Sequence, residues 1–221
     1  MNTDPYAIKI LCFGDSNTHG TTPYPGERYK ANERWTGLLQ KQLGEKYYLI
    51  EEGLGGRTTD LDHPDPKKPS RNGLIYFKAC IDSHSPLDYV VIMLGTNDLK
   101  ITYKRTADDV ANALRQFPEY IFSYNGGKGY LSPKIILLSP VHINNHANKF
   151  SEYMSTPGIY DEVSALTSTR LAEKIELVAN ELKCQFFDVA AIANTGDDGL
   201  HLNRESHQKL ADKLKAIITS T

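Results

Sequence analysis

Five short apolar runs, spread along a chain of 221 residues, limit the possible folds more than any other feature. They are Ile8–Phe13, Tyr47–Glu51, Tyr89–Leu94, Lys134–Ser139 and Gln185–Asp188. Apolar runs without polar alternation suit strands covered on both faces. Longer amphipathic stretches separate them. Glu33–Leu43 sets Trp35, Leu38, Leu39 and Leu43 on one stripe. Ala107–Tyr124 does the same with Val110, Ala113, Leu114, Phe117 and Ile121. Tyr160–Leu182 is expected to align Val163, Leu166, Leu171, Ile175 and Val178, and Glu205–Ile218 aligns Leu210, Leu214 and Ile217. Such three-and-four spacing predicts helices. Strands alternating with helices predict an α/β fold, a parallel sheet covered by helices on both sides. Ligands bind such sheets outside the carboxyl ends of the strands.

The chain reads as one domain, residues 1–221. A chain of this size can bury roughly 70% of its unfolded surface, enough for a core without disulfides or metal. Lys and Arg number 25 and Asp and Glu 27, a net charge of −2. That balance excludes a strongly basic nucleic-acid binder and a polybasic membrane anchor. No segment has the length of a membrane span or the pattern of a signal peptide. Cys12, Cys80 and Cys184 cannot form a fully paired framework. Together these features predict reduced thiols and a cytoplasmic location.

Gly20–Lys30, His63–Gly73 and Pro140–Gly158 do not fit the strand–helix repeat. Loops of this length are expected to form pocket walls or subunit contacts. His142 and His146 lie in the last of them, but a metal site needs further convergent ligands, so none is expected.

The chemistry-bearing residues follow the expected strands. Gly14-Asp15-Ser16-Asn17 comes after the first, where a serine on a sharp turn projects into the ligand crevice. Gly53-Leu54-Gly55-Gly56-Arg57 follows the second, and its glycines let backbone N–H groups approach a ligand closely. It lacks the ending of a phosphate-binding loop. Arg57 is expected to pair with Glu51, Glu52 or Asp60 rather than with a substrate. Gly95-Thr96-Asn97-Asp98 follows the third strand. An amide there donates without adding negative charge, and Asp98 is expected to support the loop. Near the end stands Asp197-Asp198-Gly199-Leu200-His201. Asp198 and His201 have the spacing for a carboxylate to orient an imidazole, the base–orienter pair of nucleophilic catalysis; Asp197 is the competing carboxylate. Trp35, on a helix stripe, is expected in the core, and His207 on the last helix.

Ser16, Gly56, Asn97 and His201, in this order, resemble the four blocks of the SGNH hydrolase superfamily, or GDSL esterases, across essentially the whole chain. Within it the chain is most similar to the microbial arylesterase/acyltransferase branch. That likeness rests on Ile10–Ser16, Arg34-Trp35-Thr36-Gly37, Glu51-Glu52-Gly53-Leu54, Gly56–Thr59, Ile92–Asp98 and Asp198–His201. Asn17 stands where leucine is common, and His19 where acyltransferase members tend to carry tryptophan. The resemblance implies a three-layer α/β/α architecture with a central five-stranded parallel sheet, flavodoxin-like in topology. It implies a serine esterase acting on short acetyl, aryl or carbohydrate esters, with Ser16 as nucleophile, His201 as base and Asp198 as its partner. The Ser16 and Gly56 N–H groups and the Asn97 side chain would form the oxyanion hole. Asp15, Asn17 and His19 would touch substrate. No cofactor is implied. The expected partners are a small ester and copies of the chain in a homo-oligomer, with no nucleic acid or membrane. The alternatives are a lysophospholipase or thioesterase, or a non-catalytic carbohydrate-binding protein on the same fold.

Overall fold

The five apolar runs form the strands, and hydrogen bonding between them is parallel throughout. The computed structural model describes residues 4–23, 26–128, 131–144, 146–147 and 159–220. Strands β1 (Ile8–Gly14), β2 (Tyr47–Gly53), β3 (Tyr89–Met93), β4 (Lys134–Ser139) and β5 (Gln185–Asp188) lie in the order β2-β1-β3-β4-β5. The register aligns Gly14 with Gly53 on one side and with Met93 on the other. The loops that follow β1, β2 and β3 therefore leave the sheet side by side. The chain reverses its direction of winding between β1 and β3, and this switch point is where open parallel sheets place ligands.

Among the described residues, seven helices surround the sheet: α1 (Ser16–His19), α2 (Trp35–Leu43), α3 (Gly73–His84), α4 (Ala107–Lys128), α5 (Glu162–Ser168), α6 (Leu171–Glu181) and α7 (Arg204–Thr219). Period-two alternation along the strands creates two cores. Leu11, Phe13, Val90, Ile92, Ile135 and Leu137 meet α3, α4 and α6. Ile10, Cys12, Val91, Met93, Ile136 and Leu138 meet α2 and α7. Trp35 is 1% exposed in the second core, as expected. Burying the side chains of this three-layer sandwich supplies the main driving force, about 1.5–3 kcal/mol for each large one.

Two helical expectations change. The stripe over Tyr160–Leu182 is broken into α5 and α6 around Thr169 and Arg170. Leu171, Ile175 and Val178 are buried, whereas Val163 and Leu166 are 68% and 60% exposed. The interruption resets the helical phase, so the two halves do not share a face. α3 lies where the periodicity names no helix. Its start runs Leu74-Ile75-Tyr76-Phe77, four apolar residues that wrap the helix and blur any stripe, although only Phe77 of the four is buried.

The loops are tied at their bases. An antiparallel bridge joins Thr21 to Arg28, and a parallel one joins Thr58 to Asn72. Most of Pro140–Gly158, namely 145 and 148–158, lies outside the described residues. Among the described residues no helix is long and apolar enough to cross a membrane.

Candidate active site

The site begins with a glycine that no other residue could replace. A Cβ on Gly14 would fall 2.1 Å from Thr18 Oγ1 and 2.7 Å from the Met93 carbonyl oxygen. That closeness lets β1 turn at once into α1. Asp15 caps the helix, its Oδ1 accepting from the Asn17 N–H at 2.9 Å, and Gly20 ends it at φ 83°. Ser16 is thereby the first residue of a one-turn helix at the carboxyl end of an inner strand, with its side chain half-buried.

His201 reaches Ser16 from the other end of the chain. Its Nε2 lies 2.9 Å from Ser16 Oγ, and its Nδ1 lies 2.5 Å from Asp198 Oδ2. Asp198 Oδ1 accepts the N–H groups of Leu200 and His201, both at 3.0 Å. These bonds close the turn that sequence spacing suggests, and they fix the carboxylate against its own histidine. A carboxylate at Nδ1 favours the tautomer with the proton on that nitrogen, which leaves Nε2 to accept from the serine hydroxyl. Asp197, the competing carboxylate, is exposed and outside this chain of bonds.

Asn17 joins the two ends. Its Nδ2 donates to the Leu200 carbonyl at 3.2 Å and its Oδ1 accepts from the Leu202 N–H at 2.8 Å, so it grips the residues on either side of His201. Its own carbonyl accepts from Trp35 Nε1 at 3.1 Å. Asn17 is 2% exposed and Asp15 1%. Both side chains are hydrogen-bonded inside the protein. Polar groups at this depth are retained only when hydrogen-bonded. His19 differs: it is half-buried on the rim, with Nδ1 3.3 Å from Thr21 Oγ1. Burial lowers its pKa, and the charges of Arg28 and Arg34 add to the effect.

The three expected oxyanion donors stand on the adjoining loops. Gly56 has φ 78°, a left-handed conformation that a side chain would strain. Among the described residues, neither the Ser16 nor the Gly56 N–H donates to a protein acceptor. Asn97 opens the turn of 3-10 helix at Asn97–Leu99. Its Nδ2 lies 3.3 Å from Asp15 Oδ2, and its Oδ1 lies 3.4 Å from the Tyr160 hydroxyl. An amide has two N–H donors, so the bond to Asp15 leaves one for a ligand. Burial raises the pKa of Asp15, against the Asn17 N–H and the charges of His201 and Arg57.

Behind the donors the loops are braced. Asp98 is fully buried and accepts from the Thr59 N–H at 3.0 Å, from Thr59 Oγ1 at 2.5 Å and from Arg105 at 3.2 Å. It supports the loop after β2, as expected. Burial pushes its pKa up to about 6, against the Thr59 bonds and Arg105. Arg57 takes a different place from the one expected. It donates to the backbone carbonyls of Gly14, at 2.8 Å, and Glu52. Its guanidinium lies 4.0 Å from the centre of the Phe13 ring. Glu51 instead pairs with Arg34, and Asp60 with Arg105. A delocalised guanidinium tolerates burial on an aromatic face better than an ammonium does, so no carboxylate is required beside it. His207 lies on α7, where its Nδ1 accepts from the Trp35 N–H at 3.1 Å.

Three residues near the site carry no sequence signal of their place there. Tyr160 precedes Asp161, the N-cap of α5, so it stands outside the helix to which its spacing assigned it. Arg71 lies beside Gly56 in space, and Lys100 follows Asn97 by three residues, with no motif to mark either. Among the described residues no cluster of His, Cys, Asp or Glu could hold a metal ion.

Known proteins resemble the chain over most of its length. A profile of the GDSL-like Lipase/Acylhydrolase family matches residues 12–209. An acetylxylan esterase of Xylanibacter ruminicola is 28% identical over 233 residues, covering 96% of this chain; the chain spans 43% of that relative's length. The structure of an aryl esterase of M. smegmatis is 37% identical and covers 97% of this chain and 99% of its own, with a TM-score of 0.87. A carbohydrate acetylesterase from Sinorhizobium meliloti is 34% identical over 96% of this chain and 99% of its own, with a TM-score of 0.85. With its five-stranded parallel sheet and a profile match over most of its length, the chain belongs to the GDSL-like lipase/acylhydrolase family.

Proposed function

We propose that the protein is a serine esterase that hydrolyses short acyl esters, above all acetyl esters of aryl alcohols and carbohydrates. The observation that carries this reading is the unbroken series from Asp198 through His201 to Ser16, with links of 2.5 and 2.9 Å. The aryl esterase and the carbohydrate acetylesterase named above support the choice of ester.

In this reading Ser16 Oγ attacks the ester carbonyl carbon while His201 Nε2 takes the hydroxyl proton. Asp198 steadies the imidazolium that forms. The tetrahedral oxyanion is held by the Ser16 and Gly56 N–H groups and the Asn97 amide. His201 returns the proton to the leaving oxygen, the alcohol departs, and an acyl-enzyme remains. Water attacks that ester by the reverse proton path and releases the carboxylic acid. Positioned donors of this kind stabilise the transition state without reorganising, and in many such reactions no other effect lowers the barrier as much. An alcohol in place of water would give acyl transfer, and the half-buried imidazole of His19 makes the rim polar and favours water.

A panel of nitrophenyl and sugar acetates, run on native and Ser16→Ala protein side by side, tests the reading. Hydrolysis by the native protein, lost in the variant, is expected. A maximum at long acyl chains would favour a lysophospholipase instead. The three free cysteines, two of them buried, fit a reducing, cytoplasmic location. The homo-oligomer is tested by light scattering.

A further inference from the structure

We infer that Arg71 and Lys100 form an anion-recognition subsite on the rim of the catalytic crevice, and that the preferred ester carries a carboxylate. The inference rests on the esterase reading and adds a substrate class to it.

Arg71 lies across the glycine that offers the oxyanion N–H. A methyl group on the Gly56 Cα would meet Arg71 Nε at 3.7 Å and Cδ at 3.8 Å. The backbone of Arg71 is fixed, because its carbonyl accepts from the Thr58 N–H at 3.0 Å and from Thr58 Oγ1 at 3.1 Å. Lys100 follows Asn97 by three residues and closes the turn, its N–H reaching the Asn97 carbonyl at 3.4 Å. The two cations thus border two of the three oxyanion donors.

Among the described residues, neither cation forms a direct ion pair, although Asp15 and Asp98 lie near enough to Lys100 to act on it. The carboxylates near the crevice are engaged elsewhere: Asp98 and Asp60 by Arg105, Asp198 by His201, and Asp15 by Asn17 and Asn97. Lys68, on the same loop as Arg71, adds a third positive charge. Burial lowers the pKa of Lys100; Asp15 and Asp98 oppose this, and Arg71 and Lys68 reinforce it. Like charges gathered at one rim disfavour one another, and an incoming carboxylate relieves them. Lys100 also helps line a groove of about 780 Å³ together with Lys104 and Arg170. Asp108, Asp161 and Glu173 line the same groove, so its charge is mixed, whereas Lys104 and Arg170 form no ion pair among the described residues.

Two matched substrate pairs test the subsite. para-Acetoxybenzoate and its methyl ester place the charge on the leaving alcohol. The para-nitrophenyl monoester of adipic acid and its methyl diester counterpart place it on the acyl chain. In one of the pairs the charged-to-neutral ratio of kcat/KM is expected to fall about tenfold in Lys100→Gln and in Arg71→Gln, the worth of one charge-assisted hydrogen bond. Lys100→Arg should restore it. The responsive pair identifies which part of the ester bears the carboxylate. If the native protein hydrolyses the neutral esters but neither variant changes either ratio by more than about twofold, the subsite is overturned while the esterase reading stands. If it hydrolyses none of them, the esterase reading fails, and calorimetry then decides the subsite alone. Ser16→Ala protein should bind para-hydroxybenzoate more tightly than its methyl ester, and should lose the difference when Lys100→Gln is added. Equal affinities would overturn the subsite.

Discussion

On one side of Ser16, Asp198 and His201 are each 5% exposed, and both imidazole nitrogens have a protein partner. On the other side Arg71 and Lys100 stand half-exposed, with no ion pair among the described residues. The first wall is closed upon itself: Asn17 grips Leu200 and Leu202, and Asp198 holds the turn that carries His201. The second wall leaves its charges open to a ligand. A satisfied buried network keeps reacting atoms in place. Cations at a rim, without direct ion pairs, choose what enters. Substitutions in the first wall should therefore act on kcat, and those in the second on preference among substrates.

The largest effect tests the first half of that contrast. Ser16→Ala and His201→Ala should each lower kcat by about 10⁴ or more on a neutral acetyl ester, as for other members of a triad. A loss under about tenfold would remove the residue from the reacting group. Asn97→Ala should cost about 10²–10³ in kcat, the usual worth of one oxyanion donor, with an unchanged far-ultraviolet spectrum. An effect on KM alone would assign Asn97 to substrate recognition rather than to the oxyanion.

Asn17→Ala is a sharper probe, because Asn17 touches no reacting atom. Losing its grip on both neighbours of His201 should cost roughly tenfold to a hundredfold in kcat through misplacement. The melting temperature should fall as well, since buried backbone groups lose partners at about 1–3 kcal/mol each. A variant less stable but fully active would show that the grip serves only folding. Tyr160→Phe should lower kcat about fivefold, because its hydroxyl helps keep the Asn97 amide facing the pocket and one such bond is worth about 1 kcal/mol. Unchanged kinetics would leave Asp15 as the group that orients the amide.

The last effect bears on stability rather than on rate and concerns a histidine in neither wall. His207 lies six residues after His201, and among the described residues it meets no carboxylate and its Nε2 has no hydrogen-bond partner. Burial, with the charges of His201 and Arg34, pushes its pKa down to about 4 from 6.5. The folded state therefore binds the proton less well than the unfolded chain. Its stabilising contribution is complete above about 6.5 and declines as pH falls through about 4, by about 3 kcal/mol. Asp98, pushed up to about 6, acts in the opposite sense over much of that range. Denaturation of wild type alone would thus mix the two. The stability gap between wild type and His207→Gln should narrow as pH falls from about 6.5 to about 4; a constant gap would show that His207 titrates normally.

How much of this could be read in advance depends on distance along the chain. The inner strands were legible because β1, β3 and β4 are buried on both faces and need only apolar residues, while β2 and β5, at the sheet edges, are only partly buried. The blocks of the candidate site could be placed because Ser16 and Asn97 follow β1 and β3 closely, and because Asp198 and His201 lie within one turn. The break between α5 and α6 was not, since Val163 and Leu166 repeat the spacing of Leu171 and Ile175 although they face solvent. The seat of Arg57 was hidden because backbone carbonyls and an aromatic face leave no trace in composition. The roles of Asn17 and Arg71 were hidden for a similar reason. Each acts on residues brought near only by the sheet, Leu202 being 185 positions from Asn17.

The acyl-enzyme itself is the most direct test. Protein quenched in acid during turnover of para-nitrophenyl acetate should carry one acetyl group, which peptide mass spectrometry should locate on Ser16, and Ser16→Ala protein should carry none. Continued turnover with no acetylated serine, or the same burst of nitrophenol from Ser16→Ala protein, would contradict the mechanism.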